Sequence, residues 1–222
     1  MAYFTPDFLE FFKDLAGNNN REWFQENKKR YEQSVKKPFE VFVTDVIIAV
    51  QKEDKSVQIQ AKDAIFRIYR DVRFSKDKTP YKIQVSAIIS ARGRKDMLSP
   101  GIYLELGPEH VRVYSGIYMP DKDSLYNIRS YIAANLSEFS KLINDKNFVE
   151  HFGHIRGDKN KIIPKEFKEV ATKQPLIYNK QFYYFGEMDA KVVLDKDLLG
   201  KVLSFYKASK PLKALFAKAL KG

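Results

Sequence analysis

The chain has no cysteine among its 222 residues, and that one absence removes a disulfide framework, a thiolate metal site and cysteine nucleophile chemistry. Histidine is scarce, with three in all. His151-Phe-Gly-His154 has the spacing of some two-histidine metal sites, but Gly153 weakens a helix there and no neighbouring carboxylate completes a ligand set. His110 falls in a turn with no partner visible in sequence. The reading is therefore no metal and no cofactor. P-loop, Gly-x-Ser-x-Gly and kinase signatures are all missing. No apolar run approaches the length needed to span a membrane, and the first residues show no basic stretch leading into an apolar one. A soluble, cytoplasmic protein with no membrane partner is expected. Internal repeats, low-complexity tracts and flexible linkers are also wanting.

What is present is apolar bulk and positive charge. Hydrophobic residues make up 44% and aromatic residues 14% of the chain, ample for a folded core. The formal charge is +11, which favours polyanionic partners. Much of the excess is local: residues 60–95 carry ten lysines and arginines against three aspartates. The lysines after Lys191 are scattered around a helical pattern and read as a solvated face.

Residues 66–82 concentrate this charge in two alternating runs separated by Ser75-Lys-Asp-Lys-Thr-Pro80. Read as a hairpin closing from Phe74 to Tyr81, the segment places Arg73 opposite Lys82, Asp71 opposite Gln84 and Tyr69 opposite Ser86, with Arg67 on the same side. Phe66, Ile68, Val72, Phe74, Tyr81, Ile83, Val85 and Ala87 share the other, apolar side. Like charges directly across a strand pair repel, so Arg73 and Lys82 call for a carboxylate or a bound anion between them. Arg67, Tyr69, Arg73, Lys76, Lys78 and Lys82 are the candidate ligand-binding residues, and Asp71 is the candidate catalytic group. Arg70 has the wrong parity; its guanidinium must be paired or reach out to water. Glu187 and Asp189 are a candidate carboxylate pair, at a strand exit where such pairs usually face water.

Elsewhere the pattern alternates between helix and hairpin signals. Thr5-Pro6-Asp7 starts a helix over Phe8 to Leu15, and Asn19 followed by Glu22 has capping-box spacing for a second. The apolar positions of that second helix run on to Val50, with a break or kink at Pro38. A second hairpin, Gly101 to Leu106 and Val111 to Tyr118, puts Ile102, Leu104, Leu106, Val111 and Val113 on one face and Tyr103, Glu105, Arg112 and Tyr114 on the other. A long helix follows from Leu125 to Leu142, then a short helix at Lys165 to Thr172, a strand at Phe182 to Phe185, and a final helix from Lys196 to Leu220 interrupted near Pro211. The expectation is one α+β domain over residues 1–222, a central antiparallel sheet built from hairpins with N-terminal and C-terminal helices packed on it.

Asn18 to Phe24 together with Phe66 to Lys82 resembles the conserved-hypothetical bacterial family named domain of unknown function 2461. Gly116 to Pro120, Ile128-Arg129 and the stretch from Pro164 to Phe185 are similar to it as well, so the resemblance spans nearly the whole chain. It implies no particular activity, cofactor or catalytic residue. The residues themselves leave three functions open. The first is binding of a phosphate-bearing ligand, a nucleotide-like small molecule or a nucleic-acid backbone, through arginine forks, lysines and stacking tyrosines. The second is a phosphoryl-transfer or hydrolytic enzyme with Asp71 as acid/base and Arg67 and Arg73 stabilising charge. The third is a non-catalytic scaffold whose charged hairpin forms an ion-pair network completed by Glu105.

Overall fold

The structure is a computed structural model that describes residues 2–95 and 98–221. It is an α+β fold whose four-stranded antiparallel sheet runs in the order β1 (Val85–Ile89), β2 (Ile102–Leu106), β3 (His110–Ile117), β4 (Phe182–Asp189). The β2–β3 hairpin has the expected register. Ile102, Leu104, Leu106, Val111 and Val113 are all fully buried, because alternation leaves one side of each strand for the core. β4 continues past Phe185 to Asp189.

The chain divides into two compact units. The first comprises Met1–Lys95, Tyr103–Val113 and Glu187–Leu203. Its helices are α1 (Asp7–Gly17), α2 (Arg21–Glu26), α3 (Lys28–Tyr31), α4 (Lys37–Glu53) and the single turn α5 (Ala61–Ala64). Phe8, Phe11, Phe12 and Leu15 of α1 and Phe39, Phe42, Val43 and Val46 of α4 are buried. Asp7 locks α1 to the following helices: it accepts hydrogen bonds from Arg30 Nε (2.8 Å) and Ser34 Oγ (2.6 Å). Between α3 and α4 the backbone widens into one π-helical turn, Glu32–Lys36. Pro38 follows directly on this turn, and Lys36 and Lys37 keep helical dihedrals, so the helix continues and the break expected at this proline takes the form of a π turn that accommodates the missing N–H.

The second unit comprises Asp96–Ile102, Tyr114–Gly186 and Ser204–Gly222. It contains α6 (Lys122–Ala134), α7 (Leu136–Ile143), α8 (Lys146–Phe152) and α9 (Lys168–Lys173). The single long helix expected here is divided at Asn135, whose side chain folds back to donate to Tyr131 O at 2.9 Å. Phe148, Phe152, Phe182, Tyr184 and Phe216 form its aromatic core. Arg129 of α6 is buried and donates to the carbonyls of Ile177 (2.8 Å) and Asn179 (3.0 Å). Gly116 has φ 95°, and a Cβ there would lie 2.2 Å from the Phe182 carbonyl oxygen, so this crossing of β3 and β4 requires glycine. α10 (Leu198–Ala219) runs unbroken through Pro211, where an interruption was expected; Pro211 is exposed. No helix among the described residues is long and apolar enough to cross a membrane.

Candidate functional site

The cationic segment approaches its return strand in the antiparallel sense, but through isolated bridges, Ile65 with Ala87 and Tyr69 with Tyr81, and in a register the hairpin count did not give. Tyr69 faces Tyr81 where Ser86 was expected, a shift of five residues. The odd shift exchanges faces. Two anchors decide it. Tyr69 and Tyr81 form a non-hydrogen-bonded pair flanked by Lys82 N to Ile68 O (2.8 Å) and Arg70 N to Pro80 O (2.8 Å). The N–H and C=O of Tyr81 therefore point outward. Asn19 meets both, its Oδ1 accepting from Tyr81 N (3.1 Å) and its Nδ2 donating to Tyr81 O (3.0 Å), while Phe24 stacks on the buried Tyr81 ring at 4.0 Å. Asn19 is thus not the helix cap its spacing suggested; Asn20 caps α2 by accepting from Trp23 N at 2.9 Å.

The second anchor is the loop itself. Residues 71–79 are tied by their own side chains rather than by a tight turn. Arg70, the residue of wrong parity, is paired with the side chains of Asp77 and Thr79; Asp77 Oδ1 also accepts from Thr79 N (2.9 Å), and Lys78 Nζ donates to Val72 O (3.0 Å). Phe74, expected in the core, is 96% exposed.

The expected opposition of Arg73 and Lys82 is absent, and the sequence-predicted site residues separate. Arg73 turns back to Asp71, with Nε and Nη2 donating to the two carboxylate oxygens at 3.0 and 2.7 Å. That bidentate bond lowers the Asp71 pKa to about 2 in an exposed position. Lys76 is exposed and Tyr69 is half exposed. Lys82 lies half-buried with its ammonium 5.5 Å from the Phe66 ring centroid, and burial, reinforced by Arg67 and opposed by Glu105, holds its pKa below the usual lysine range.

Arg67 occupies different surroundings. It lines a pocket of about 280 Å³ together with Lys36 from the π turn, Lys62 from α5 and Arg94. Tyr31, Phe39, Ile65, Phe66 and Val85 supply the apolar wall, and Glu40 is its one carboxylate. Arg94 is held in place by donating to the carbonyls of Lys62 (2.7 Å) and Asp63 (3.3 Å) at the end of α5. The close approach depends on Gly93, with φ 57°, where a Cβ would lie only 2.6 Å from Asp63 O. Burial, then Glu40, pushes the Tyr31 phenol up to about 12, so it stays protonated. Among the described residues, the side chains of Lys36, Lys62 and Arg67 have no hydrogen-bonded or ion-paired partner. Sequence reasoning reached Arg67 and the charge excess containing Lys62 and Arg94. It missed Lys36, Tyr31 and Glu40, which carry no local signal.

The polar face of β2 and β3 holds a second charged group. Glu105 Oε1 accepts from His110 Nε2 at 2.8 Å, and Arg112 bridges Glu105 (3.8 Å) and Glu187 (2.7 Å). Glu187 is held below its ordinary pKa by Arg112, and Asp189 instead caps the following turn at Lys191 N (2.8 Å), so these two acids are not a pair. His151 uses one ring nitrogen on Asn147 O (2.8 Å) and the other on Ser204 Oγ (3.2 Å). Among the described residues no three His, Asp or Glu side chains converge as metal ligands.

Comparison with protein-family models matches residues 7–214 to the family described as conserved hypothetical protein (DUF2461). The chain belongs to that family. A search of curated proteins found no match.

Proposed function

We propose that the pocket lined by Lys36, Lys62, Arg67 and Arg94 binds a small ligand bearing a phosphate or a comparable anionic group. The observation that carries this reading is the convergence of four cations and one carboxylate on a single concavity. Among the described residues three of those cations have no hydrogen-bonded or ion-paired partner, unlike Arg70, Arg73 and Arg112, and a guanidinium fork flanked by lysines suits phosphate oxygens. A volume of about 280 Å³ lies at the small end of ligand pockets, which run from roughly 300 to 1,000 Å³, and favours a small molecule over a nucleic-acid strand. Tyr31, Phe39 and Phe66 offer apolar surface for the body of such a ligand.

Binding is favoured over catalysis because the candidate base is poorly placed. Asp71 is exposed, committed to Arg73 and outside the residues lining the pocket, and a carboxyl of pKa about 2 is a weak proton acceptor at neutral pH. Calorimetric titration with pyrophosphate and with adenosine monophosphate tests the reading. Arg67→Ala is expected to cost about 1.5 to 3 kcal/mol of binding, as for a charge-assisted hydrogen bond, and Arg73→Ala to leave affinity unchanged. Equal loss in the two variants returns the site to the loop, and absence of binding by both probes at low salt refutes it.

A further inference from the structure

The second unit holds a larger concavity, about 720 Å³, distinct in every lining residue from the basic pocket. Ile143, Val149, Ile155 and Leu176 line it, and Val149 is 44% exposed at the site. Its charged and titratable members are His154, Arg156 and Lys159, with no carboxylate among the lining residues. Arg156 is a fixed cationic wall: Nη1 donates to the carbonyls of Phe152 (3.2 Å), His154 (3.4 Å) and Phe185 (3.2 Å), and the guanidinium lies 4.1 Å from the Phe185 ring centroid. Lys159 and His154 have no side-chain partner among the described residues.

Two further features set this pocket apart from a surface dimple. The loop that forms one wall is pinned, with Arg156 N donating to Tyr183 O (2.7 Å), Asn160 N to Tyr178 O (2.8 Å) and Lys180 N to Asp158 O (2.7 Å). Gly157, with φ 153°, passes so close to Gln181 that a Cβ would lie 2.2 Å from its carbonyl oxygen. The concavity is thus preorganised, which lowers the cost of ordering on binding. The other feature is Asn179. It lines the pocket, is 1% exposed, and its Oδ1 has no hydrogen-bond donor among the described residues. A buried acceptor without a partner is costly, and a ligand donor relieves it.

We propose that this pocket binds a small amphipathic hydroxy acid, its apolar body against Ile143, Val149, Ile155 and Leu176, its carboxylate at Lys159 and its hydroxyl hydrogen-bonded to the Asn179 carboxamide, which turns to bring Oδ1 to the pocket. An apolar wall, an unpaired cation and an unpaired acceptor are the three complements such a molecule needs. The test titrates the full chain calorimetrically with 2-hydroxyoctanoate, octanoate and octylamine. Both acids are expected to saturate the site, the hydroxy acid several-fold more tightly, and the amine not to bind. Lys159→Gln should weaken both acids about tenfold or more with an unchanged melting temperature, Val149→Asp should abolish binding by placing a carboxylate at the wall, and Lys52→Gln should have no effect. Binding of octylamine as tight as octanoate, unchanged acid affinity in Lys159→Gln, or no saturation by either acid in the millimolar range overturns the proposal. Equal affinity for the two acids overturns the role of Asn179.

Discussion

Replacing Asn19 by alanine is expected to destabilise the first unit by about 2 to 4 kcal/mol, although Asn19 caps no helix. The side chain makes two hydrogen bonds, both to the backbone of the buried Tyr81. An ordinary hydrogen bond is worth roughly 0.5 to 1.5 kcal/mol net, and each backbone group left without a partner in a buried place costs about 1 to 3 kcal/mol. Partial access of water to the vacated groups sets the total between those limits. Asn20→Ala is the internal comparison, since losing a helix cap costs about 1 kcal/mol. Urea unfolding followed by the fluorescence of Trp23, the chain's sole tryptophan, reports on this unit directly. Exchange of the Arg70 and Lys82 amides should accelerate in Asn19→Ala, because their bonds to Pro80 O and Ile68 O depend on the register that Asn19 holds. An Asn19→Ala variant within about 0.5 kcal/mol of wild type, with those amides still protected, would refute the claim that a residue 62 positions away fixes the pairing.

Gly116→Ala should cost roughly 2 to 4 kcal/mol in thermal or chemical unfolding, since the new Cβ meets the Phe182 carbonyl at 2.2 Å in a left-handed backbone. Arg129→Met strands the carbonyls of Ile177 and Asn179 and should cost about 2 kcal/mol or more, measured the same way. Phe74→Ser should change stability by less than about 0.5 kcal/mol, and a large loss would restore the core position the hairpin count assigned to it. Asp7 has its pKa lowered below 3.8, chiefly by the hydrogen bond from Arg30. A carboxyl depressed in the folded state stabilises above its unfolded pKa and loses that contribution as pH falls through the folded value. Asp7→Asn should therefore be less stable than wild type at pH 7 and lose less stability between pH 4 and pH 2, read from urea midpoints across that range.

The β2–β3 hairpin was legible because its evidence is local: alternating residues on both sides of a short turn leave one register that buries Ile102, Leu104, Val111 and Val113. The cationic segment has the same alternation and gave the wrong register. Its loop is wide, closed by Arg70, Asp77 and Thr79, and its pairing is held by Asn19 from the far side of two helices' worth of sequence. Parity counting from a Phe74 to Tyr81 closure has no term for such an anchor. The same limit governs the basic pocket. Arg67 could be singled out from its charged neighbourhood, but Lys36 belongs beside it only because α3, the π turn and α4 bring it there. His110 and Glu105 lay within five residues of each other, and only the built turn made them partners.

The π turn also makes this part of the chain intolerant of changes in length. Arg30 and Ser34, on one side of or within it, are tied to Asp7, while Lys36, Phe39 and Glu40 face the pocket at its end. A π turn accommodates one more residue than an α turn over the same rise, so it works as a phase adjuster between two helical faces that must both be satisfied. Deleting a residue such as Gln33 would let an ordinary α-helix close, and each residue advances an α-helix by about 100°. Everything after the deletion would swing out of phase by that amount, carrying Phe39 and Phe42 off the core and Lys36 away from Arg67. Exposed positions outside the pocket, such as Gln33 and Lys37, can change their side chains freely, but the number of residues between Asp7's partners and the pocket is fixed by geometry.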